Sequence, residues 1–389
     1  MSYLMNTYAR LPVTFVRGEG VWLMDEAGNR YLDALAGVAV NGLGHAHPAL
    51  VKAVCEQAQQ LIHTSNIYQV QRQEQLAEKL CQLSGMDKVF FCNSGCEANE
   101  AAIKIARLYG HSKGIDTPTI IVMEKSFHGR TMATLTATGN RKVQAGFEPL
   151  LSGFVRVPYN DVEAVRQVAL HNPDVVAVLV EPIEGEGGIA IPDAAYLKQL
   201  REICDAHGWL LMLDEVQTGI ARTGAWFAFQ HTDIVPDVMS LAKGLGSGVP
   251  IGACVARGVA AETFKPGNHG STFGGNPLAC AAGLATLQAV ADQDLLTHVQ
   301  QIGAAIVTGF ERELAGVVGI KSIRGLGMMI GIELDRPCAE LVKLALAQHL
   351  LINVTADSVI RLVPPLVMSA EEAALLVSKL SVVIREFLK

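Results

Sequence analysis

Two residues stand where an apolar run ends. Asp214 directly follows Trp209–Leu213, and Lys243 lies just beyond Val238–Leu241. A carboxylate placed there is expected to be buried and to need a cationic partner. A lysine in such a pocket can be neutral and nucleophilic, able to form a Schiff base. A third feature comes earlier in the chain. Ser94-Gly95-Cys96-Glu97 follows the run Lys88–Cys92 and has the Ser-x-x-Glu spacing of a capping box. A helix start also offers free N–H groups and the positive end of a dipole, which attract phosphate, and Gly95 lets an anion approach the backbone. Each feature has a plainer reading. Asp214 and Lys243 can pair with each other, Lys243 can be a solvated loop lysine, and the box can do no more than cap its helix.

The elements that must position these groups are legible as short, continuous apolar runs. They are Lys88–Cys92, Thr119–Met123, Gly153–Val157, Val175–Val180, Trp209–Leu213, Val238–Leu241 and Ile251–Ala256. Continuous runs predict strands buried on both faces, as in a largely parallel sheet. Helical patterns lie between them at Glu97–Leu108, Asp161–Ala169 and Ala194–His207, which predicts a doubly wound α/β fold. In such a sheet, ligands bind beyond the carboxyl ends of the strands. The segments found there are polar: Asn93–Asn99, Phe127–Arg130, Glu181–Gly188, Asp214–Gln217 and Lys243-Gly244.

The flanks read differently. Phe15–Ala34 predicts a hairpin turning at Glu26–Asn29, and a helical pattern runs from Pro277 to about residue 315. Strands are predicted at Gly327–Leu334, Leu350–Val354 and Val359–Leu362, with helices over 337–348 and 369–388. The layout expected is a seven-stranded α/β domain over 46–280 and a smaller α+β domain built from 1–45 and 281–389.

Composition excludes several classes. Half of the 389 residues are apolar and only 18% are charged, so the chain can bury a large core and is not disordered. A net charge of −7 leaves no basic footprint for nucleic acid. No run approaches the length of a membrane span, and Met1–Arg10 lacks the apolar core of a signal peptide. The low charge for this size hints at apolar surface covered by a second subunit. Eight cysteines (Cys55, Cys81, Cys92, Cys96, Cys204, Cys254, Cys280, Cys338) lie in apolar segments without a C-x-x-C, which predicts a reducing, cytoplasmic setting. The pair His45 and His47 sits in a Gly/Pro loop with no nearby carboxylate expected, and no metal site is expected.

Taken with Phe127 as an aromatic plate, the strand-end residues match the needs of pyridoxal phosphate. That cofactor requires a phosphate cradle, a carboxylate on its ring nitrogen, a stacking face and an imine-forming lysine. Motifs along almost the whole chain strengthen this reading. Gly20–Asp25, Tyr31–Asp33, Leu43–Pro48, Ser94–Asn99, Phe127–Thr131, Asp214–Gln217, Ala242–Gly244, Gly270–Gly274 and Ile360–Pro365 occur in order. With them the chain resembles the fold-type I, class III (ornithine/acetylornithine-type) aminotransferases.

The resemblance implies roles for particular residues. Ser94, Gly95 and Cys96 would lie at the phosphate, with Thr272 reaching it from the partner subunit of a homodimer. A thiol is a poor donor, so Cys96 would use its N–H. Phe127 would stack on the ring, Asp214 would hold its nitrogen, Gln217 would contact the phenolic oxygen, and Lys243 would carry the cofactor and move the proton. Arg130 and Ser271 would contact substrate. Arg361 would meet a carboxylate on the reacting carbon of glutamate, and Glu186 would pair with Arg361 when the donor has none. The reaction implied is ping-pong transamination between N-acetylornithine and 2-oxoglutarate, giving N-acetylglutamate 5-semialdehyde and glutamate in arginine biosynthesis. Succinylornithine, ornithine, N-succinyl-diaminopimelate and 4-aminobutyrate are alternative donors.

Two other classes fit the sequence less well. Gly185-x-Gly187-x-x-Ala190 superficially fits a nicotinamide-dinucleotide fingerprint, but Glu184 and Glu186 would repel a pyrophosphate and Pro192 separates the glycines from the next helix. A non-enzymatic regulator on the same fold is opposed by the presence of Lys243, Asp214 and Arg361 together.

Overall fold

The apolar runs form strands, and the central ones are shut off on both faces. Every residue of Val175–Val180, Thr119–Met123 and Leu210–Asp214 is buried. The computed structural model describes residues 3–389; Met1 and Ser2, part of the expected N-terminal segment, lie outside the described residues. Seven strands make one sheet in the spatial order Lys88–Cys92, Gly252–Ala256, Val238–Leu241, Leu210–Asp214, Val175–Val180, Thr119–Met123, Phe154–Val157. Gly252–Ala256 runs antiparallel to both its neighbours, and the remaining pairs are parallel. Four boundaries, in three strands, differ by one residue from the sequence reading, and one matters: Asp214 is the last residue of its strand, so the sheet itself fixes its backbone.

Helices cover both faces. Gly95–Ser112 packs Ala101, Ala102, Ile105 and Ala106 against Ile120, Val122 and Leu179, while Tyr196–His207 packs Leu197, Leu200 and Cys204 on the other side. Small residues on the first helix let it approach closely, which brings its N-terminus over the strand ends.

The flanks correct the sequence reading in four places. Phe15–Ala34 is a three-stranded meander rather than one hairpin, because Gly20 (φ 57°) supplies a second tight turn between Phe15–Glu19 and Trp22–Asp25. The long helical pattern breaks into Pro277–Asp292 and Leu295–Glu313, with Asp294 left-handed at φ 47°. Leu350–Val354 divides between two sheets: Leu350–Leu351 joins Arg30–Asp33 in parallel, and Asn353–Thr355 pairs with Val359–Leu362. Ile320–Leu326 is a strand that patterning missed, since Lys321, Ser322 and Arg324 dilute its apolar signal and none of its residues is fully buried. Its antiparallel partner is Met329–Leu334.

His45 also differs from expectation. Its Nε2 lies 2.8 Å from Asp33 Oδ2, a carboxylate close in space although not adjacent in sequence. That carboxylate also accepts the N–H groups of Leu35 and Ala36, which anchors the next turn. Ala36, Gly37, Val38 and Ala39 then follow with φ of 51°, 63°, 66° and 62°. A left-handed turn containing a β-branched residue is strained, and it delivers Val40 to the cavity described next.

Candidate active site

A cavity of about 440 Å³ opens at the carboxyl ends of the strands, where the polar segments converge. Its first wall is the start of the helix Gly95–Ser112. Ser94 caps it, with Oγ accepting the Glu97 N–H at 3.2 Å. The Glu97 carboxylate reaches one residue further back than the expected box and accepts the Asn93 N–H at 2.7 Å. Among the described residues the N–H groups of Gly95 and Cys96 have no acceptor. Gly95 is required here, because a Cβ would stand 2.6 Å from Val216 Cγ1. The Cys96 thiol is engaged elsewhere: its sulfur accepts from the N–H groups of Arg130 and Thr131 at 3.4 Å and meets Thr134 Oγ1 at 3.1 Å.

Asp214 forms the floor. Oδ2 accepts from Asn99 Nδ2 at 2.7 Å and sits 2.8 Å from His128 Nδ1, while Oδ1 accepts the Val216 N–H at 3.0 Å. Ser240 Oγ in turn donates to Asn99 Oδ1 at 2.5 Å. The cationic partner expected from sequence is therefore replaced by an amide and an imidazole, and Asp214 and Lys243 make no ion pair. Sequence reasoning missed Asn99 and His128. Both lie in strand-end segments that it had marked, which is the signal that was available.

Lys243 has a left-handed backbone at φ 42°, and its amine makes no hydrogen bond or ion pair among the described residues. Burial, then the charge of Arg361, lowers its pKa, against the opposing pull of Asp214, Glu186 and Glu181. The outcome is an amine nearer to its neutral, nucleophilic form.

Phe127 and Val216 contribute apolar surface to the same cavity. Glu181 holds two loops together: one oxygen accepts the Phe127 N–H at 2.8 Å and the other the Gly185 N–H at 3.1 Å. Burial, followed by the charge of Asp214, raises the Glu181 pKa. Arg130 is exposed at the rim with its guanidinium 5.8 Å from the Phe127 ring centre. Glu186 lines the cavity and pairs with Arg361, Oε1 to Nη1, at 2.6 Å. Arg361 lies behind it, donating from Nε to Asn353 Oδ1 at 3.0 Å and from Nη1 to Gln217 Oε1 at 3.4 Å.

Two expected residues stay apart from this group. Ser271 lines a neighbouring cavity of about 670 Å³, where its Oγ accepts from Asn93 Nδ2 at 3.2 Å and the Gly274 N–H at 3.0 Å. Thr272 is exposed. Within one chain neither lines the cavity that holds Lys243. The dinucleotide alternative also finds no structural footing. Glu184 and Ala190 bridge to each other around the glycines, and the next helix begins only at Tyr196. No group of three metal-ligating side chains occurs among the described residues.

The donor set fits pyridoxal phosphate. Two free N–H groups stand at a helix start, a carboxylate is held in place by an amide and an imidazole, an unpaired amine shares its cavity, and apolar surfaces line the space between.

Comparison with known proteins agrees with this chemistry. The family model for aminotransferase class-III matches residues 3–384. The acetylornithine aminotransferase of Nitrosomonas europaea is 64% identical over 389 residues, 100% of this chain and 99% of that protein. Acetylornithine aminotransferase 1 of Bordetella bronchiseptica is 57% identical, with 100% and 98% covered. Among solved structures, the ornithine aminotransferase of Toxoplasma gondii superposes with a TM-score of 0.94 at 36% identity, covering 99% of this chain and 92% of that one. The acetylornithine aminotransferase of Elizabethkingia anophelis gives 0.88 at 37%, covering 99% and 97%.

Proposed function

The chain belongs to the class-III aminotransferases, and from that membership we propose that it transfers the terminal amino group of N-acetylornithine to 2-oxoglutarate. The products are N-acetylglutamate 5-semialdehyde and glutamate, a step of arginine biosynthesis. The observation that carries the reading is the closed Glu186–Arg361 pair, 2.6 Å long, beside an unpaired Lys243. A pocket with a free arginine there would present an unpaired charge to a donor that has no carboxylate on its reacting carbon.

Pyridoxal phosphate is the cofactor of the family, and when bound it supplies an electron sink for the pair left as the donor's C–H bond breaks. The residues do the rest. The N–H groups of Gly95 and Cys96, joined by Thr272 of a second copy, would hold the phosphate. Phe127 would face the ring, Gln217 the phenolic oxygen, and Asp214 the ring nitrogen, its charge kept in place by Asn99 and His128. Lys243 would hold the cofactor, and its amine would serve as the base that removes the proton from the donor carbon and as the acid that gives it back. Arg130 would hold the far carboxylate of both substrates, since the span from reacting carbon to that carboxylate differs by only one bond, about 1.5 Å. When glutamate enters, Glu186 releases Arg361 to its second carboxylate.

The same reading makes the enzyme a cytoplasmic homodimer and divides it into a large domain over 46–280 and a small one from 1–45 and 281–389. Eight unpaired cysteines, with Cys204, Cys254 and Cys280 among the buried ones, support the reducing compartment. No helix among the described residues is long and apolar enough to cross a membrane.

Rates with N-acetylornithine, succinylornithine, ornithine, N-succinyl-diaminopimelate and 4-aminobutyrate, each with 2-oxoglutarate, test the substrate. The highest kcat/KM is expected for N-acetylornithine, and a higher value for ornithine would overturn the reading. Sedimentation tests the assembly: a fully active, cofactor-loaded monomer would remove the role given to Thr272.

A further inference from the structure

One short strand touches both members of the Glu186–Arg361 pair. Asn353–Thr355 runs antiparallel to Val359–Leu362, with Asn353 opposite Arg361 and Thr355 opposite Val359. Residues two apart on a strand share a face, so Asn353 and Thr355 point the same way. Asn353 Oδ1 accepts from Arg361 Nε at 3.0 Å. The Thr355 hydroxyl donates to the backbone carbonyl of Glu186 and lies 3.4 Å from its Oε2. The ion pair itself uses other atoms, Arg361 Nη1 and Glu186 Oε1. The contacts to Arg361 Nε and to the Glu186 backbone carbonyl therefore do not depend on the pair being closed.

The loop beyond Glu186 is held from the same sheet. Arg324 donates from Nη2 to the Gly188 carbonyl at 2.6 Å and from Nε to the Ile189 carbonyl at 2.8 Å, with its charge met by Glu333 at 2.8 Å. With its backbone pinned at 186, 188 and 189, the loop cannot follow the Glu186 carboxylate when that group turns away.

We propose that Asn353 and Thr355 are positioning residues for the exchange of Arg361 between Glu186 and a substrate carboxylate. Asn353 keeps the guanidinium oriented when Glu186 has left it, so that an arriving carboxylate meets a preorganised fork. Thr355 keeps the Glu186 backbone in place, so that its carboxylate returns to Arg361 when the donor has no carboxylate on the reacting carbon. The inference rests on the transamination reading above.

The two residues then act on opposite half-reactions. Asn353→Ala should raise the KM for glutamate about tenfold, the loss expected of a hydrogen bond to a charged group, and leave the half-reaction with N-acetylornithine within twofold. Thr355→Val should slow the N-acetylornithine half-reaction and spare glutamate, and Thr355→Ser should restore it. Single-turnover absorbance of each half-reaction reads these effects on the holoenzyme, with thermal melting alongside. Opposed shifts in the ratio of the two half-reactions support the proposal. Parallel losses in both, or no restoration by serine, overturn it. Every candidate donor of the ornithine and 4-aminobutyrate type reacts at a carbon without a carboxylate. If the wild-type enzyme prefers another of them, the substrate reading fails while this test proceeds unchanged with that donor.

Discussion

His128 Nδ1 lies 2.8 Å from Asp214 Oδ2, with both side chains closed off from solvent. Asn99 donates to the same oxygen, so the carboxylate is fixed from two sides and makes no contact with a lysine or arginine. That is the state a protonated ring nitrogen requires of its partner. Replacing His128 by alanine should weaken cofactor binding and turnover by roughly 5- to 100-fold, the cost of removing one partner from a buried acceptor. Cofactor titration by fluorescence, paired with kcat, reads the effect; unchanged affinity and rate would show that Asn99 alone suffices.

Lys243→Ala should bind the cofactor without a covalent link and lose turnover. Borohydride treatment followed by mass spectrometry should find a lysine adduct in the wild type and none in the variant. Substantial turnover by Lys243→Ala, with no added amine, would exclude Lys243 from proton transfer.

Gly95→Ala separates local helix preference from the site. Alanine is the better helix former, yet its Cβ would stand 2.6 Å from Val216 Cγ1. Melting should change little while cofactor affinity falls about tenfold or more, a displacement of the N–H cradle being the cause. Unchanged affinity would mean that Val216 yields without moving the helix start.

Glu184 gives a dependence on pH. It is buried, its Oε1 has no partner, and burial together with the charge of Glu181 pushes its pKa up from 4.5 to about 9, against the pull of Lys125. The folded state therefore retains a proton that the unfolded chain releases above pH 4.5. Stability from the protonated acid is whole below that value and is lost as pH rises through about 9. Glu184→Gln, which cannot ionise, should gain melting temperature over the wild type as pH rises, by roughly 3 °C or more at pH 8.5 and by less at pH 5.5. A constant difference across that range would refute the buried acid.

The sequence by itself determined the seven-stranded α/β architecture and most of the residues around the cavity. Apolar runs, the Ser94 cap and the residues after each strand are local signals, and a parallel sheet brings its strand ends to one edge whatever the loop details. Asp214, Lys243, Gly95 and Phe127 were legible for that reason. Fine boundaries in the flanks were not, because Asn353–Thr355 and Ile320–Leu326 are too short or too polar to show a period.

What touches what was decided only by the tertiary structure. His128 and Asp214 are 86 residues apart, and Asn99 and Asp214 are 115 apart. No local pattern indicates that an imidazole and an amide, rather than Lys243, satisfy the carboxylate. The family resemblance suggested Glu186 with Arg361, yet nothing in the strand predicted over Leu350–Val354 indicated that its end grips both, with Thr355 lying 169 residues beyond Glu186. Hydrogen bonds across such separations form only after sheet and helices have packed, since the packing alone sets which side chains come within 3 Å.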